Sequence, residues 1–463
     1  MLEADHGAND ILSGLQQVVD ASSIILPERV KLLDPGLDEH NLDAGLIVCP
    51  ASVEEVQALI SWCASEKIAL VPHGGRTSLA GAAISAPGHL VISTSRLNKI
   101  LELDETTGTA LVEPGVTLSD LQQATAEVGL SPGIDLGARD SATIGGMVST
   151  NAGGQQSFRN GVMRHRVLGL EAVLGNGNLF TDLKKVSKSN EGYALRHLLI
   201  GPEGTLGVLT KISLALLPVD GDKATALVSC ADEAAAVKTY QRLRTQPGLE
   251  LLAVEFMSSG YARITAAERA EASTLSFEPD ENAVFLLLDA PHQHESVLSE
   301  TLVSCSDHEE LSNAILAQSE ADRAKFWAIR EDVFLTDRPY PHSISYDISL
   351  PVSALPAYSK ALGDRIAAIL PDLKVFTIGH LADGNMHLTV SCGRPIPELH
   401  DRIRRAVNEG LTEVGGSFSA EHGIGTEKRS SLRENVPAHQ LDLMRSIKQI
   451  FDPAGIMNPG KVL

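Results

Sequence analysis

The sequence has no G-x-G-x-x-G turn and no G-x-x-x-x-G-K-[ST] loop, so the usual dinucleotide and P-loop nucleotide folds have no support. No apolar run approaches the ~18 residues of a membrane-spanning helix; the longest obvious one, Val284 to Leu288, reads as a buried strand. There is no CxxC pair, and the five cysteines (Cys49, Cys63, Cys230, Cys305, Cys392) are scattered and odd in number. That argues against a disulfide framework and for a reducing compartment, read as the cytoplasm. Positive charge is short: 38 Lys and Arg face 59 Asp and Glu, for a net charge of −21. Such an excess argues against nucleic acid or an anionic membrane surface as partner, yet leaves room for one basic pocket. The N-terminal MLEADHGANDILSG is acidic, lacks an apolar core, and reads as neither a signal peptide nor an Arg-rich transit peptide.

What is present is length, glycine and a few histidines. At 463 residues the chain exceeds one ordinary core, so two or three domains are expected. Apolar content of 43% and charged content of 21% are those of a soluble globular protein. The distinctive stretch is Ser131 to Gly154, SPGIDLGARDSATIGGMVSTNAGG. It offers little apolar surface, but glycine lets a backbone come close to a ligand. Gly145-Gly146 and Asn151-Ala152-Gly153-Gly154 are expected to present bare N–H groups to an anion; the alternative is a long glycine-rich surface loop. A second glycine cradle lies upstream, Val71-Pro-His-Gly-Gly-Arg-Thr-Ser, after a short strand over 67–71.

Periodicity places a helix over 52–64, with Ser52 and Glu55 as a capping box. Strands follow at 90–93, 100–103 and 109–113, then a helix over 118–128 closed by Gly129. Val167 to Leu174 is a strand that turns at Gly175-Asn-Gly and returns at 179–180, and a further strand covers 208–217. Pattern is lost around 218–223, a domain boundary. Beyond it come strand 224–230, helix 231–245, strands 249–256 and 283–289, and helix 294–304. A second round gives strand 343–349, helix 353–369, strands 374–380 and 386–392, and helix 397–414. Two β-α-β-β-α groups predict an α+β domain with a mostly antiparallel sheet. A last helix over 436–451 leads to a loop-like tail that returns to the first domain.

The chemistry concentrates in two segments, Gly379-His380-Leu-Ala-Asp-Gly-Asn-Met-His387 and Ser419-Ala-Glu421-His422-Gly-Ile-Gly425. Asp383-Gly384 is a turn signal, so His380 and His387 should lie on adjacent strands. Two histidines and a carboxylate are the ligand set of an open Zn²⁺-type site, and Mn²⁺ or Fe²⁺ would accept the same ligands. The alternative is a pair of turn-flanking histidines with backbone partners. His422 is the natural general base; a fourth metal ligand or a structural hydrogen bond are its other readings. Arg330, in Phe326-Trp-Ala-Ile-Arg-Glu, can clamp a carboxylate or pair with Glu331 or Asp332 on the surface.

At these residues the chain resembles the FAD-linked dehydrogenases of the vanillyl-alcohol oxidase type. Within them it is similar to the D-2-hydroxy-acid branch, which includes D-2-hydroxyglutarate and D-lactate dehydrogenases. The motifs PHGGRTSLAG, DLGARDSATIGGMVSTNAGG, GPEGTLG, GHLADGNMH, AEHGIG and IMNPGK occur in the expected order, and the similarity runs from about Ala51 to Leu463. The resemblance implies an α+β architecture: a two-subdomain FAD-binding domain (1–218), a substrate domain with a ferredoxin-like antiparallel sheet and the metal site (219–432), and a C-terminal helical segment (433–463). It implies that Pro72, His73, Gly74, Gly75, Arg76, Thr77 and Ser78 wrap the pyrophosphate of FAD. Pro132, Asp135, Gly137, Ala138, Ser141, Thr143, Ile144, Gly145, Gly146, Ser149, Asn151, Ala152, Gly153 and Gly154, with Gly161, Glu203, Gly204 and Asn458, would line the rest. Members that bind FAD covalently often carry a histidine where Arg76 stands, and His73 is offset, so the flavin is expected to be non-covalent.

By the same resemblance His380, His387 and Glu421 bind a divalent metal, usually zinc. His422 acts as base and Arg330 holds the substrate carboxylate, while hydride passes from the α-carbon to flavin N5. D-2-hydroxyglutarate dehydrogenases tend to show a threonine, a lysine and an asparagine where this chain has Phe334, Ser345 and Thr389. The replacements remove a cation and add an aromatic, which favours D-lactate or another D-2-hydroxy acid with a small or apolar side chain; D-2-hydroxyglutarate is the rival. The electron acceptor implied is a soluble electron-transfer flavoprotein or a quinone, and a homodimer is the expected assembly. Two other readings are an FAD oxidase using O₂ and a subunit of a glycolate-oxidase-type complex.

Overall fold

The computed structural model describes residues 8–269 and 281–463. It divides into two units: the described residues up to Val219 together with Glu421–Leu463, and Asp220–Ala420. The chain re-enters the first unit at Glu421, ahead of residue 433 where the tail is expected to start, so the Glu421-His422-Gly-Ile-Gly loop belongs to that unit.

The first unit holds two larger sheets. One is mixed and four-stranded, in the spatial order Ile24–Ile25, Ile47–Val48, Leu90–Ser93, Leu70–His73. The other is antiparallel and five-stranded: Ile100–Asp104, Thr109–Val112, Gly207–Ala215, Val167–Leu174, Leu179–Asp182. The helix Val53–Glu66 joins them. It starts as its sequence dictates: the Ser52 side chain accepts the Glu55 N–H, and Glu55 reaches back to the Ala51 N–H at 2.9 Å, which satisfies donors the first turn leaves orphaned. Its face of Val56, Leu59, Ile60 and Cys63 shares one core with Leu70, Leu90 and Ile92 of the first sheet and Val173 and Val208 of the second. Each fully buried side chain of this kind contributes about 1.5–3 kcal/mol. Ile456 and Met457 of the tail complete that core, and Met457 bridges to Leu70.

The glycine-rich stretch is not loop throughout. Ile144–Thr150 is a helix, capped by Thr143, whose hydroxyl accepts the Gly146 N–H at 3.2 Å. Ile144, Met147 and Val148 fall at helical spacing and are buried. That burial outweighs the roughly 1 kcal/mol that each interior glycine costs a helix.

The second unit is built on one sheet of seven strands: β1 Lys223–Cys230, β2 Ala253–Ser258, β3 Val284–Pro291, β4 Asn313–Leu316, β5 Ile344–Ser349, β6 Lys374–His380 and β7 Asn385–Ser391. Their spatial order is β4-β1-β3-β2-β6-β7-β5, antiparallel throughout. Helices Glu233–Thr245, Glu295–Asp307 and Leu355–Ile369 follow the expected alternation, while the last one is cut to His400–Asn408; Gly410, at φ +86°, stands just beyond it. The expectations omit β4 and the helix Ser259–Glu268.

Register fixes what one face of this sheet carries. Glu255 of β2 stands opposite His380 of β6, His380 opposite Asn385 of β7, and Asn385 opposite Ser349 of β5. In the next row His387 pairs with Asp347, and in the third Thr389 pairs with Ser345. Since side chains alternate along a strand, Glu255, His380, His387, Asp347, Thr389 and Ser345 share one face.

Candidate functional site

The first unit contains a cavity of about 640 Å³. Of the residues singled out from sequence, Gly74, Gly75, Arg76, Thr77, Ala138, Ser141 and Thr143 line it. Among the described residues, the N–H groups of Gly74, Gly75, Arg76 and Thr77 meet no protein acceptor. Consecutive unpaired amides around a cavity are an anion nest. The sharp turn that creates it puts Arg76 at φ +56°, and Gly75 lies so close to the Ser141 carbonyl oxygen that a Cβ there would overlap it. These are the features a pyrophosphate of FAD requires, so the residues fit the group.

The bare-amide expectation for the downstream stretch is corrected. The Gly145 N–H donates to the Pro114 carbonyl at 2.8 Å, the Asn151 and Ala152 N–H groups to carbonyls of Val148 and Met147, and the Gly154 N–H to Glu421 Oε1 at 3.0 Å. Helix formation and close packing consume the donors that the sequence left open. Pro132, Asp135, Gly137, Ile144, Gly146, Ser149, Gly153, Gly161 and Gly204 stand outside the lining of this cavity, as do Pro72, His73 and Ser78. Asp135 forms an ion pair with Arg139 at 2.7 Å. Reading by sequence missed Asp34, Ser93, Thr94, Gly115 and Thr117, which do line it; only the Pro-Gly at 114–115, a turn signal, hinted at one of them.

Glu203 and Asn458 act on other parts of the protein. The Glu203 carboxylate accepts the N–H groups of Ile424 at 2.7 Å and Gly425 at 2.8 Å. Burial pushes its pKa up, and those two N–H donors oppose the rise. Asn458 Nδ2 donates to the carbonyls of Ala82 and Glu203. The loop that carries Glu421 and His422 is therefore tied to the cradle at both ends, by Gly154 on Glu421 and by Glu203 on Ile424 and Gly425.

In the second unit His380 and His387 stand side by side, ring centroids 5.6 Å apart and edge-on. Each has a buried carboxylate beside it: Glu255 Oε1 is 2.7 Å from His380 Nδ1, and Asp347 Oδ1 is 3.5 Å from His387 Nδ1. Asp347 also accepts the N–H of Ala420 at 3.1 Å, the last residue before Glu421. A carboxylate hydrogen-bonded to an imidazole is how proteins orient metal-binding histidines, and His380 has one in Glu255; with His387 beside it the face offers two imidazole donors that suit a divalent cation. Arg330 is 5% exposed and sits near the end of the helix Glu320–Glu331. It pairs with Glu255 at 2.7 Å rather than with a neighbour on its own helix, and Asp332 is taken by Arg269 at 3.0 Å. Burial raises the Glu255 pKa, but His380 and Arg330 more than offset it and hold the carboxyl below its usual range. Ser345 and Thr389 share this face, and Phe334, in the turn Val333–Asp337, is 60% exposed. Glu255 and Asp347 are the residues sequence reasoning missed. Their signal was a lone acid inside an apolar strand, as in Ala253-Val-Glu-Phe-Met.

Amides of the first unit without a protein acceptor, over a cavity, make an anion site, and the second unit carries a group of histidines, carboxylates and a buried arginine on one sheet face. The chain belongs to the family of FAD linked oxidases: residues 220–462 match their C-terminal domain and residues 44–182 the FAD binding domain. It is 34% identical over 424 residues to a D-2-hydroxyglutarate dehydrogenase of Xanthomonas citri pv. viticola, covering 90% of this chain and 88% of the relative. A protein of the same name from Stutzerimonas stutzeri is 33% identical over 432 residues, covering 90% of each chain. The solved 4-ethylphenol oxidase from Gulosibacter chungangensis superimposes with a TM-score of 0.73 at 17% identity, over 98% of this chain and 97% of that one. That likeness establishes the α+β fold of the vanillyl-alcohol oxidase type.

Proposed function

We propose that the protein is an FAD- and divalent-metal-dependent dehydrogenase that oxidises a D-2-hydroxy acid to the 2-oxo acid. The observation that carries this reading is the face of β2, β6, β7 and β5, where paired histidines and a buried arginine meet carboxylates. His380, His387 and Glu421 would hold the metal, Zn²⁺ being the first choice and Mn²⁺ or Fe²⁺ compatible. The metal would lower the pKa of the α-hydroxyl, and FAD, held non-covalently, would supply the hydride acceptor, N5. Arg330 orients the α-carboxylate. His422 takes the hydroxyl proton as the α C–H bond gives up its hydride, so the acid loses two electrons and two protons in all.

For the substrate's side chain we propose a small or apolar group, as in D-lactate. Phe334, Ser345 and Thr389 supply no cation, and a distal carboxylate left without a partner is costly to desolvate. The second reading is D-2-hydroxyglutarate, favoured by the names of the similar proteins. We further propose a soluble electron-transfer flavoprotein or a quinone as acceptor, a homodimer as assembly, and a reducing, cytoplasmic setting. The free thiols of all five cysteines support that setting. Among the described residues no helix is long and apolar enough to cross a membrane.

The test is anaerobic bleaching of the flavin by a panel of D- and L-2-hydroxy acids, with and without a chelator, followed by admission of air. Rapid bleaching by D-lactate, lost on chelation and slow to reverse in air, is the expected outcome. Bleaching chiefly by D-2-hydroxyglutarate moves the substrate to the second reading. Fast reoxidation by air identifies an oxidase. No bleaching by any D-acid removes the substrate class.

A further inference from the structure

Glu255 is the one charge in the apolar strand β2, and no part of it reaches solvent. A carboxylate so placed must be matched on both oxygens, and here each oxygen has its own partner. Oε1 is 2.7 Å from His380 Nδ1, and Oε2 is 2.7 Å from an Arg330 Nη. The two partners come from different elements: β6, in register with β2, and the helix Glu320–Glu331. That helix is held as well, since the Tyr261 hydroxyl donates to the Arg330 carbonyl at 3.1 Å. Nε of Arg330 has no protein partner among the described residues.

We propose that Glu255 is a positioning residue that serves the metal and the substrate carboxylate at once. By accepting the Nδ1–H of His380 it selects one tautomer and leaves the Nε2 lone pair for the cation. By engaging one Nη of Arg330 it fixes the plane of the guanidinium and leaves its other donors for the α-carboxylate of the hydroxy acid. The inference rests on the metal and carboxylate roles given to His380 and Arg330 above. Its chemical signature is the need for two acceptor oxygens: an amide at this position can turn its oxygen to only one of the two donors.

The experiment uses FAD-loaded enzyme and Zn²⁺ as probe. Wild-type affinity is set first by competition with a chelator; if wild type takes up no Zn²⁺, the metal reading itself fails and this inference falls with it. In E255Q the expected result is retained flavin and a Zn²⁺ affinity lower by about 10- to 100-fold, with E255D in between. At saturating Zn²⁺, E255Q should show a raised KM for the hydroxy acid with a smaller change in kcat. A role confined to packing would lower thermal stability and leave the affinity of the folded variants untouched. Folded E255Q and E255D with wild-type Zn²⁺ affinity overturn the His380 half, and an unchanged KM overturns the Arg330 half. Should both variants fail to fold, nitrogen-15 shifts of His380 in Zn²⁺-loaded wild type decide. A protonated Nδ1 is expected, and a protonated Nε2 overturns the proposal.

Discussion

The flavin cradle and the polar sheet face solve recognition by opposite means. The cradle at 74–77 offers backbone N–H groups and leaves no room for a side chain at Gly74 and Gly75, where the Thr143 hydroxyl and the Ser141 carbonyl occupy the space a Cβ would need. The sheet face offers side chains, two of which, His380 and Arg330, are held by a third, Glu255. A large, constant anion such as a dinucleotide can be held by many weak, fixed dipoles. A small substrate that must lose a proton and a hydride in one geometry needs a few ionisable groups in fixed tautomers. The two regions should therefore fail differently.

The largest effect is expected in the cradle. Gly75→Ala forces a Cβ onto the Ser141 carbonyl, so the turn must open and FAD should be lost; the purified protein is expected to be colourless, as absorbance at the flavin bands will show. A yellow Gly75→Ala enzyme with normal flavin content would mean the turn yields and the nest lies elsewhere. His422→Ala should do the reverse. It sits on a loop held by Glu203 through Ile424 and Gly425, so the variant should stay yellow while anaerobic flavin reduction slows by about 10²- to 10⁴-fold. Normal reduction in stopped flow would remove His422 as the base and leave the cradle reading intact.

How much could be read in advance follows the same division. The cradle was visible because glycine marks backbone approach, and Val71-Pro-His-Gly-Gly-Arg points straight to it. The same mark misled at Gly145–Gly146, where the glycines permit a capped helix and contact with Pro114 rather than exposing amides. His380 and His387 were legible as a pair because Asp383-Gly384 announces the turn between their strands, and the turn is there. Glu255 was marked locally only as a lone acid in an apolar strand; its partner His380 lies 125 residues away, and no local pattern says which groups a buried acid will meet. The antiparallel sheet followed from strand order and alternation. The strand β4 escaped because a four-residue edge strand carries too little pattern to count.

The smallest effect concerns the acid limit of the cradle unit. His73 ends the strand that leads into the nest, is 1% exposed, and has Nε2 2.8 Å from the Ala83 carbonyl. Burial, assisted by the charges of Arg76 and Lys461, lowers its pKa to about 4, from 6.5. The folded state thus refuses a proton that the unfolded chain accepts, so stability is full above pH 6.5 and is lost as pH falls toward 4. Linkage puts the loss at about 3 kcal/mol. In H73Q, whose amide can still donate to Ala83, that part of the pH dependence should vanish. Urea unfolding followed by flavin fluorescence at pH 7 and pH 4.5 measures it. Carboxylates that titrate in the same window affect both proteins equally, so the difference between the two pH slopes isolates His73. Equal slopes would show that the acid sensitivity arises outside the cradle.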